Sequence, residues 1–332
     1  MPRLFGKGAR EEDVPFFHRV SVDFYKKIIS SRQLRQKILF RLGFIPDKAM
    51  TSLQYRIKTG RGIDWHNPKR YTEKVQVYKT YYRDPLMVTC SDKADVRGYV
   101  AEQGLAHILN ELYGVYNSCA EIDFDALPNR FVAKDTLGDG AGVSVLICRD
   151  KNTLDREKFE RTLSGWISTP HNKPFGGREW PYYSGKKHRV LIEKYIEPEP
   201  ETGGLTDYKF FCFHGEPKYL YVMTGRGQAG GPSIGIYDAQ FRLTRYRRKG
   251  RAPLPRAVPK PGNFDEMLDA ARRLSKPFPH VRVDLYNPDE KLIFGELTFF
   301  SGTGYITFEP DEFDYILGKE FRLPRKEEHV LS

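Results

Sequence analysis

The sequence predicts an α+β protein with a mainly helical N-terminal region, and three observations support this. Apolar residues recur at helical spacing before residue 60, with Lys and Arg between them. Strand-like runs take over after Leu127-Pro128 and flank a glycine-rich segment. Two further strand-like runs near the C-terminus are joined by Pro288-Asp289-Glu290. We therefore expect a basic helical region at 1–90, a region with the glycine-rich loop at 91–197, and a region with the late strand pair at 198–332.

The N-terminal helical pattern is basic and aromatic from Phe16 to about Gly60. The apolar stripe consists of Phe24, Ile28, Leu34, Ile38, Leu42 and Ile45. Such helices either pack on the body of the protein with a solvated basic face, or lie against an anionic membrane surface. The sequence leaves both interpretations open. The Arg-rich segment 242–262 also has two interpretations. It either binds a polyanion or is a solvated run of charge.

Composition narrows the class of protein. The formal net charge of +11 favours an anionic partner such as a nucleotide, an acidic glycan, a nucleic acid or the inner membrane surface. No apolar run approaches the roughly 20 residues that cross a bilayer. Met1 to Asp13 lacks the apolar core of a signal peptide. We expect a cytoplasmic protein, with peripheral contact to the inner face of the membrane if the basic region binds lipid.

Cysteine and histidine spacing argues against zinc chemistry. Cys90, Cys119, Cys148 and Cys212 are far apart, and the last two lie in strand-like apolar runs. The histidines show no metal-ligand spacing. We expect all four to be reduced core thiols, and any bound metal to be held by oxygen.

The remaining elements follow from periodicity and turn residues. A helix is predicted from Glu73 to Tyr82, closed by Asp84-Pro85, and another from near Ser91-Asp92 past Val100. A third has Phe264, Met267, Leu268, Ala271 and Leu274 on one face. The predicted strands are Arg130 to Lys134, Val143 to Cys148, Arg189 to Ile196, Lys209 to Phe213 paired with Lys218 to Val222, Val281 to Asn287, and Lys291 to Phe299.

The late strand pair carries the strongest chemical signal. Side chains alternate along strands, so a hairpin centred near Glu290 sets Asp284 opposite Glu296 and Arg282 opposite Thr298, roughly 5 Å apart. Two facing carboxylates destabilise a sheet unless a positive group lies between them or one stays protonated. A divalent cation held by oxygen meets that need, and Mg²⁺ beside nucleotide phosphates is the commonest case. Arg282 could hold phosphate or acyl oxygens in a fork. The alternative is an ordinary surface hairpin with an Arg-Asp pair.

Two weaker features suit a nucleotide. Lys134 precedes a loop with Gly138, Gly140 and Gly142, whose main-chain N–H groups could approach phosphates as a mobile lid. An ordinary hairpin turn is the alternative. The run Glu193-Lys194-Tyr195-Ile196 could present main-chain groups to an adenine, with Glu197 on the ribose. Alone, that run is equally a buried strand with a charged end.

Taken in order, these features resemble the ATP-grasp superfamily. More closely, about Asn67 to Leu323 resembles the TupA-like ATP-grasp proteins, associated with teichuronopeptide and other cell-surface polysaccharide synthesis. The matching phrases are Asn67-Pro68-Lys69 with Glu73-Lys74, Ser91-Asp92-Lys93, Gly177-Arg178-Glu179-Trp180-Pro181-Tyr182, Glu193-Lys194-Tyr195-Ile196, Asp207-Tyr208-Lys209-Phe210-Phe211-Cys212-Phe213, Val281-Arg282-Val283-Asp284-Leu285-Tyr286, and Phe294-Gly295-Glu296-Leu297-Thr298-Phe299.

The resemblance implies an ATP-grasp fold with ATP held between two α+β subdomains, a lid subdomain at 91–197 and a C-terminal subdomain at 198–332. It implies that Lys93 and Lys134 contact phosphates, Gly138 to Gly142 form the lid, and Glu193 to Ile196 form the adenine hinge. Glu197 would contact the ribose, and Lys209 would replace a phosphate-binding arginine. Asp284 and Glu296 would bind Mg²⁺, together with Thr298, a weaker metal ligand that stands where many relatives have Asn. Arg282 would stabilise an acyl phosphate, as in D-alanine–D-alanine ligases.

The activity implied is ATP-dependent joining of a carboxylate to an amine through an acyl phosphate. The expected carboxylate is a uronic acid of a surface glycan or an amino-acid side chain, and the expected amine is an amino acid or amino sugar. A kinase of a small molecule or sugar would use the same nucleotide site, and a membrane-associated glycosyltransferase would use the basic segments. We expect no nucleic-acid partner, because no recognised binding module is present.

Overall fold

The computed structural model describes residues 32–138, 144–171, 176–199, 204–226 and 230–324. The helices are α1 (Arg32–Arg41), α2 (Asp47–Thr59), α3 (Tyr71–Tyr81), α4 (Pro85–Ser91), α5 (Val96–Glu102), α6 (Arg156–Ile167), α7 (Phe264–Ser275) and α8 (Glu312–Glu320). The strands are β1 (Leu112–Tyr116), β2 (Phe131–Asp135), β3 (Val145–Cys148), β4 (Val190–Lys194), β5 (Asp207–Phe213), β6 (Glu216–Thr224), β7 (Ser233–Asp238), β8 (Arg247–Arg248), β9 (Ala252–Pro253), β10 (His280–Tyr286), β11 (Ile293–Thr298) and β12 (Phe308–Glu309).

The larger sheet has the strand order β11-β10-β5-β6-β7-β9, and its first five strands pair antiparallel. One face is covered by α7, where Phe210 packs on Phe264 with ring centroids 6.0 Å apart. On the opposite face, Tyr71 of α3 packs edge-on against Phe211 and Phe213 near one end of the strands. The rest of that second face carries ionisable side chains.

The smaller sheet has the order β1-β4-β2-β3, entirely antiparallel. Helix α6 begins at the cap Asp155, whose carboxylate accepts from the N–H of Lys158 at 3.0 Å. It packs on the sheet through a separate apolar core that includes Phe131, Phe159, Leu163 and Ile192. The described residues thus form these two larger sheets, each with its own core, and a two-stranded sheet of β8 and β12. The predicted boundaries at residues 90 and 197 stay predictions.

The first two predicted helices are present, with shifted ends. The helix predicted from Glu73 to Tyr82 is α3, which ends at Tyr81, before Asp84-Pro85. Pro85 then starts α4, where Asp84 caps the first turn by accepting from the N–H of Leu86 at 2.9 Å. The helix expected to start near Ser91-Asp92 and to run past Val100 is α5, which begins later, at Val96. Asp92 accepts from the N–H groups of Ala94 and Asp95, at 2.8 and 3.0 Å, and so forms a turn between α4 and α5.

The N-terminal apolar stripe also falls on more than one element. Phe24 and Ile28 lie outside the described residues. Helix α1 ends at Arg41, a short 3₁₀ turn follows at Leu42–Phe44, and Pro46 precedes α2. Leu34 is 49% exposed, so this part of the stripe is not buried against the protein. Among the described residues, no helix combines the length and apolar character needed to span a bilayer.

The other predicted elements are confirmed. The third predicted helix is α7, with Phe264, Met267, Ala271 and Leu274 buried. The pairing of β5 with β6 is also present, with Lys209 opposite Tyr221. Cys90, Cys119, Cys148 and Cys212 are free thiols, and the expectation of a core position is wrong only for Cys119, which is partly exposed.

Candidate active site

The site is built on the face of the larger sheet opposite α7, beside the part that Tyr71 of α3 covers. Strands β10 and β11 pair with Asp284 opposite Glu296 and Arg282 opposite Thr298, the register that the sequence predicts. Asp284 also faces Lys209 of β5, and Lys209 faces Tyr221 of β6. One row across the sheet therefore carries Tyr221, Lys209, Asp284 and Glu296, which we call the site row.

Asp284 is held between two cations. Arg282 Nε and Nη2 donate to its carboxylate oxygens at 2.6 and 2.7 Å, and Lys209 Nζ donates to Oδ2. Lys209 also contacts Asp207 at 3.2 Å. These side chains are at least nine-tenths buried, apart from slightly greater exposure at Lys209. A buried charge is stable only when it is paired and hydrogen-bonded. Each of these charged side chains therefore depends on the others to remain ionised.

Glu296 is the more accessible carboxylate, with 40% of its side chain exposed. It accepts from Arg282 Nη2 at 3.1 Å and from the Thr298 hydroxyl at 2.9 Å. Burial opposes its ionisation, but Arg282, Lys209 and Lys93 outweigh it and lower the pKa of Glu296 to about 2. Glu296 is therefore an anion at neutral pH.

Lys93 joins the glycine-rich loop to this face. Its main-chain N–H donates to Thr136 O at 2.9 Å, and its Nζ donates to Gly138 O at 2.6 Å. Lys93 and Glu296 line one small pocket together with Tyr182 and Gly295. Burial lowers the pKa of Lys93, while Glu296 raises it. Lys93 therefore links the base of the glycine-rich loop to the pocket that Glu296 lines.

The predicted lid begins at the smaller sheet, where Lys134 lies on β2 and Gly138 follows that strand. Lys134 of β2 pairs with Glu193 of β4 at 2.5 Å. Gly138 lies so close to Ser144 that an added Cβ would fall 2.1 Å from the serine Cβ. Gly140 and Gly142 lie outside the described residues. Only the base of the predicted lid is therefore defined.

The proposed adenine hinge occupies the end of β4. The Lys194 N–H donates to Glu111 O at 2.9 Å, and its carbonyl accepts from Asn110 at 2.8 Å. Its side chain forms an exposed ion pair with Glu111. Tyr195 and Ile196 follow the last ladder pair, and Glu197 contacts Arg130 at 2.5 Å on the surface.

Several residues near the site were missed from the sequence. Ser301 accepts from Arg282 Nη1 at 2.8 Å, and the neighbouring run Gly302-Thr303-Gly304 was its only sequence signal. His188 Nδ1 contacts Asp135 at 2.8 Å, beside Lys134. Arg189 bridges Asp92 and Asp95 at 2.9 and 2.7 Å. No spacing predicts these pairs, because they join strands and helices that are distant along the chain.

The donor set fits a hard divalent cation. Asp284 and Glu296 supply carboxylate oxygens on one face, and Thr298 supplies a hydroxyl beside Glu296. No group of three or more His, Cys, Asp or Glu that could hold a metal occurs among the described residues. Mg²⁺ usually takes one or two carboxylates and completes its shell with phosphate and water oxygens, so two carboxylates suffice.

Comparisons with known proteins identify the family of the chain. A family model described as TupA-like ATPgrasp matches residues 73–322. No curated protein matches the sequence. A solved structure of D-alanine–D-alanine ligase from Bacillus anthracis is similar at 17% identity and a TM-score of 0.39, over 64% of this chain and 57% of that one. The chain thus spans little more than half the length of that ligase.

Two further solved structures show the same level of similarity. D-alanine–D-alanine ligase from Helicobacter pylori has 13% identity and a TM-score of 0.41, over 78% of this chain and 70% of that one. D-cycloserine synthetase DcsG has 13% identity and a TM-score of 0.38, over 80% and 89%. The assignment rests on the family match, which covers most of the chain. The chain belongs to the TupA-like ATP-grasp family.

Proposed function

We propose that the protein is an ATP-dependent ligase that activates a carboxylate for attack by an amine, releasing ADP and phosphate. The observation that supports it best is the site row, where Asp284 and Glu296 face each other between Arg282 and Lys209. Because the chain belongs to the ATP-grasp family, we take ATP as the nucleotide. Phosphoryl transfer mainly needs positioning and charge neutralisation, and this face supplies both without a protein nucleophile.

Each residue has a defined task in this proposal. Asp284 and Glu296 would hold Mg²⁺, which neutralises phosphate charge, with Thr298 orienting Glu296. Lys93 and Lys209 would contact phosphates, and Arg282 would stabilise negative charge on the acyl group. Lys134, Gly138 and the segment from Glu193 to Glu197 would enclose the nucleotide.

The finer assignment follows the sequence resemblance. We propose that the carboxylate belongs to a uronic acid of a surface-glycan precursor or to an amino-acid side chain, and that an amino acid or amino sugar supplies the amine. Such a reaction would take place in the cytoplasm, with the basic N-terminal region available for peripheral contact with the membrane.

Neutralising either metal-binding carboxylate tests the proposal. We expect Asp284→Asn and Glu296→Gln to reduce ADP release at least ~100-fold, because each removes a charge that a divalent ion requires. Asp289→Asn, in the exposed turn of the same hairpin, is the matched control and should retain wild-type activity. Variants that fold but release ADP at the wild-type rate would contradict the metal assignment.

Product mass separates the ligase from a kinase. An amide that appears only when amine, carboxylate and ATP are all present supports the ligase. A stable phosphorylated product formed without an amine would instead establish the kinase.

A further inference from the structure

Arg248 differs from the other cations of the Arg-rich segment. It lies on β8, which pairs with β12 through Phe308, and its side chain is half-buried. A Cβ placed on Gly302 would lie 3.4 Å from Arg248 Nη2. The guanidinium therefore reaches the loop Ser301–Gly304, whose Ser301 hydroxyl contacts Arg282.

This guanidinium lacks an anionic partner within the described part of the chain. The ionisable groups that act on it are Tyr221, Arg251, Arg282 and Tyr71, none of which is a carboxylate. Burial lowers the pKa of Arg248. By contrast, Arg242 pairs with Asp238 at 2.7 Å, and Arg245 pairs with Glu312. A half-buried arginine without an anion is costly, and binding one would recover that cost.

Tyr221 supplies a second donor at the same place. Its side chain is 1% exposed, and within the described residues its hydroxyl has no hydrogen-bond partner. Burial raises the pKa of Tyr221 against the opposing effect of Arg248 and Arg282, so the hydroxyl keeps its proton. Asp314, which also acts on Tyr221, already accepts from Thr72 at 2.7 Å. The hydroxyl is therefore a buried donor that still needs an acceptor.

We infer that Arg248 and Tyr221 form an anion subsite at the end of the site row, which binds a carboxylate group of the acyl substrate beside Arg282. This inference rests on the proposed ligase function, because it names the substrate chemistry that the site selects. A planar guanidinium matches a carboxylate in a bidentate fork, and the tyrosine hydroxyl can donate to the same oxygens. Lys93 and Lys209 remain for the nucleotide phosphates.

Nucleotide-free binding of D-glucuronate to the full chain tests the subsite. Ligand-observed NMR titration should show that the wild type binds D-glucuronate in preference to neutral D-glucose. Arg248→Ala should weaken glucuronate binding at least ~10-fold, the loss expected for a charge-assisted pair. Tyr221→Phe should weaken it ~3- to 10-fold through loss of one hydrogen bond. Arg247→Ala, the exposed neighbour on β8, is the matched control and should bind as the wild type does.

Arg248→Lys tests whether the loss in Arg248→Ala comes from misfolding. Because lysine keeps the charge, this variant should recover part of the glucuronate affinity that Arg248→Ala loses. Wild-type protein that fails to prefer glucuronate over glucose, or an Arg248→Ala variant with wild-type affinity, would overturn the inference. Inorganic phosphate binding at Arg248 while glucuronate does not bind would overturn the carboxylate assignment. The titration contains no nucleotide, so its result is independent of the ADP-release test at Asp284 and Glu296.

Discussion

His280 is a buried residue of the site face whose two ring nitrogens both have hydrogen-bond partners. Its Nδ1–H donates to Cys212 O at 2.8 Å, so Nε2 is left to accept the Tyr71 hydroxyl at 2.9 Å. The ring also stacks on Phe213 with centroids 4.7 Å apart. Both ring nitrogens are therefore used by the neutral form, with no place for a second ring proton.

Stability should fall with acid because of this histidine. Burial, reinforced by Arg282 and His214, lowers the pKa of His280 to about 3. The unfolded chain takes up this proton below its ordinary pKa of about 6.5, whereas the folded protein does not until pH ~3. The folded state therefore loses stability as pH falls through this window, by at most ~2 kcal/mol between pH 6.5 and 5.

Urea unfolding at pH ~6.5 and pH ~5 gives the change in the free energy of unfolding for the wild type and for His280→Gln. Glutamine cannot titrate, so the variant should lack this part of the pH dependence even if it is less stable overall. Equal changes in the free energy of unfolding for the two proteins would contradict the assignment. The window avoids Glu296, whose low pKa matters only below pH ~4.5.

At the scale of elements, the hairpin of β2 and β3 depends on a close contact at its base. The Asp135 N–H donates to Ser144 O at 3.0 Å, and the Gly138 N–H donates to Asp135 O at 3.1 Å. Gly138 faces Ser144 too closely for any side chain. The glycine is needed here for space, and it holds the carbonyl that Lys93 binds.

Gly138→Ala should therefore disturb both the hairpin and Lys93. We expect a loss of ~1–3 kcal/mol in the free energy of unfolding, the usual cost of overpacking, and weaker binding of an ATP analogue. Gly165→Ala is the matched control, because α6 has open space there, and it should be neutral or stabilising by up to ~1 kcal/mol. Denaturant unfolding and calorimetric titration measure the two effects. If Gly138→Ala has the wild-type free energy of unfolding and the wild-type affinity for the ATP analogue, the close contact with Ser144 does not require glycine at this position.

At the scale of the whole molecule, Arg178 attaches the first described helices to the body. Its guanidinium is 2% exposed and donates to Leu42 O, Ile45 O and Asp47 Oδ1, each at 2.8 Å. Gln54 of α2 adds a bond to Gly176 O at 2.9 Å. The arginine thus satisfies carbonyls at the end of one short helix and the carboxylate at the start of the next.

Removing this side chain should loosen the N-terminal helices without unfolding the sheets. We expect Arg178→Ala to speed tryptic cleavage between residues 32 and 60 at least ~10-fold, because local opening exposes the backbone. Arg156→Ala, an exposed arginine on α6, should leave that rate unchanged. Mass spectrometry of the early fragments identifies the sites. An unchanged cleavage pattern in Arg178→Ala would show that other contacts hold these helices.

The sequence by itself determined the α+β class, the family and the facing of Asp284 with Glu296. Strand alternation and a short turn act over few residues, so local pattern suffices to set that register. At Ser91-Asp92 the local pattern predicted the cap but not the first helical residue: Asp92 accepts from the N–H groups of Ala94 and Asp95, and a turn precedes α5, which begins at Val96.

Only the tertiary structure decided which side chains complete the site. Lys209 and Tyr221 join the site row through pairing of β10, β5 and β6, whose order in the sheet no spacing encodes. Arg248 was indistinguishable from its basic neighbours until the fold buried it beside Gly302 while Arg242 and Arg245 found carboxylates. Burial and charge pairing depend on contacts between distant segments, and hydrophobic periodicity along one segment carries no information about them.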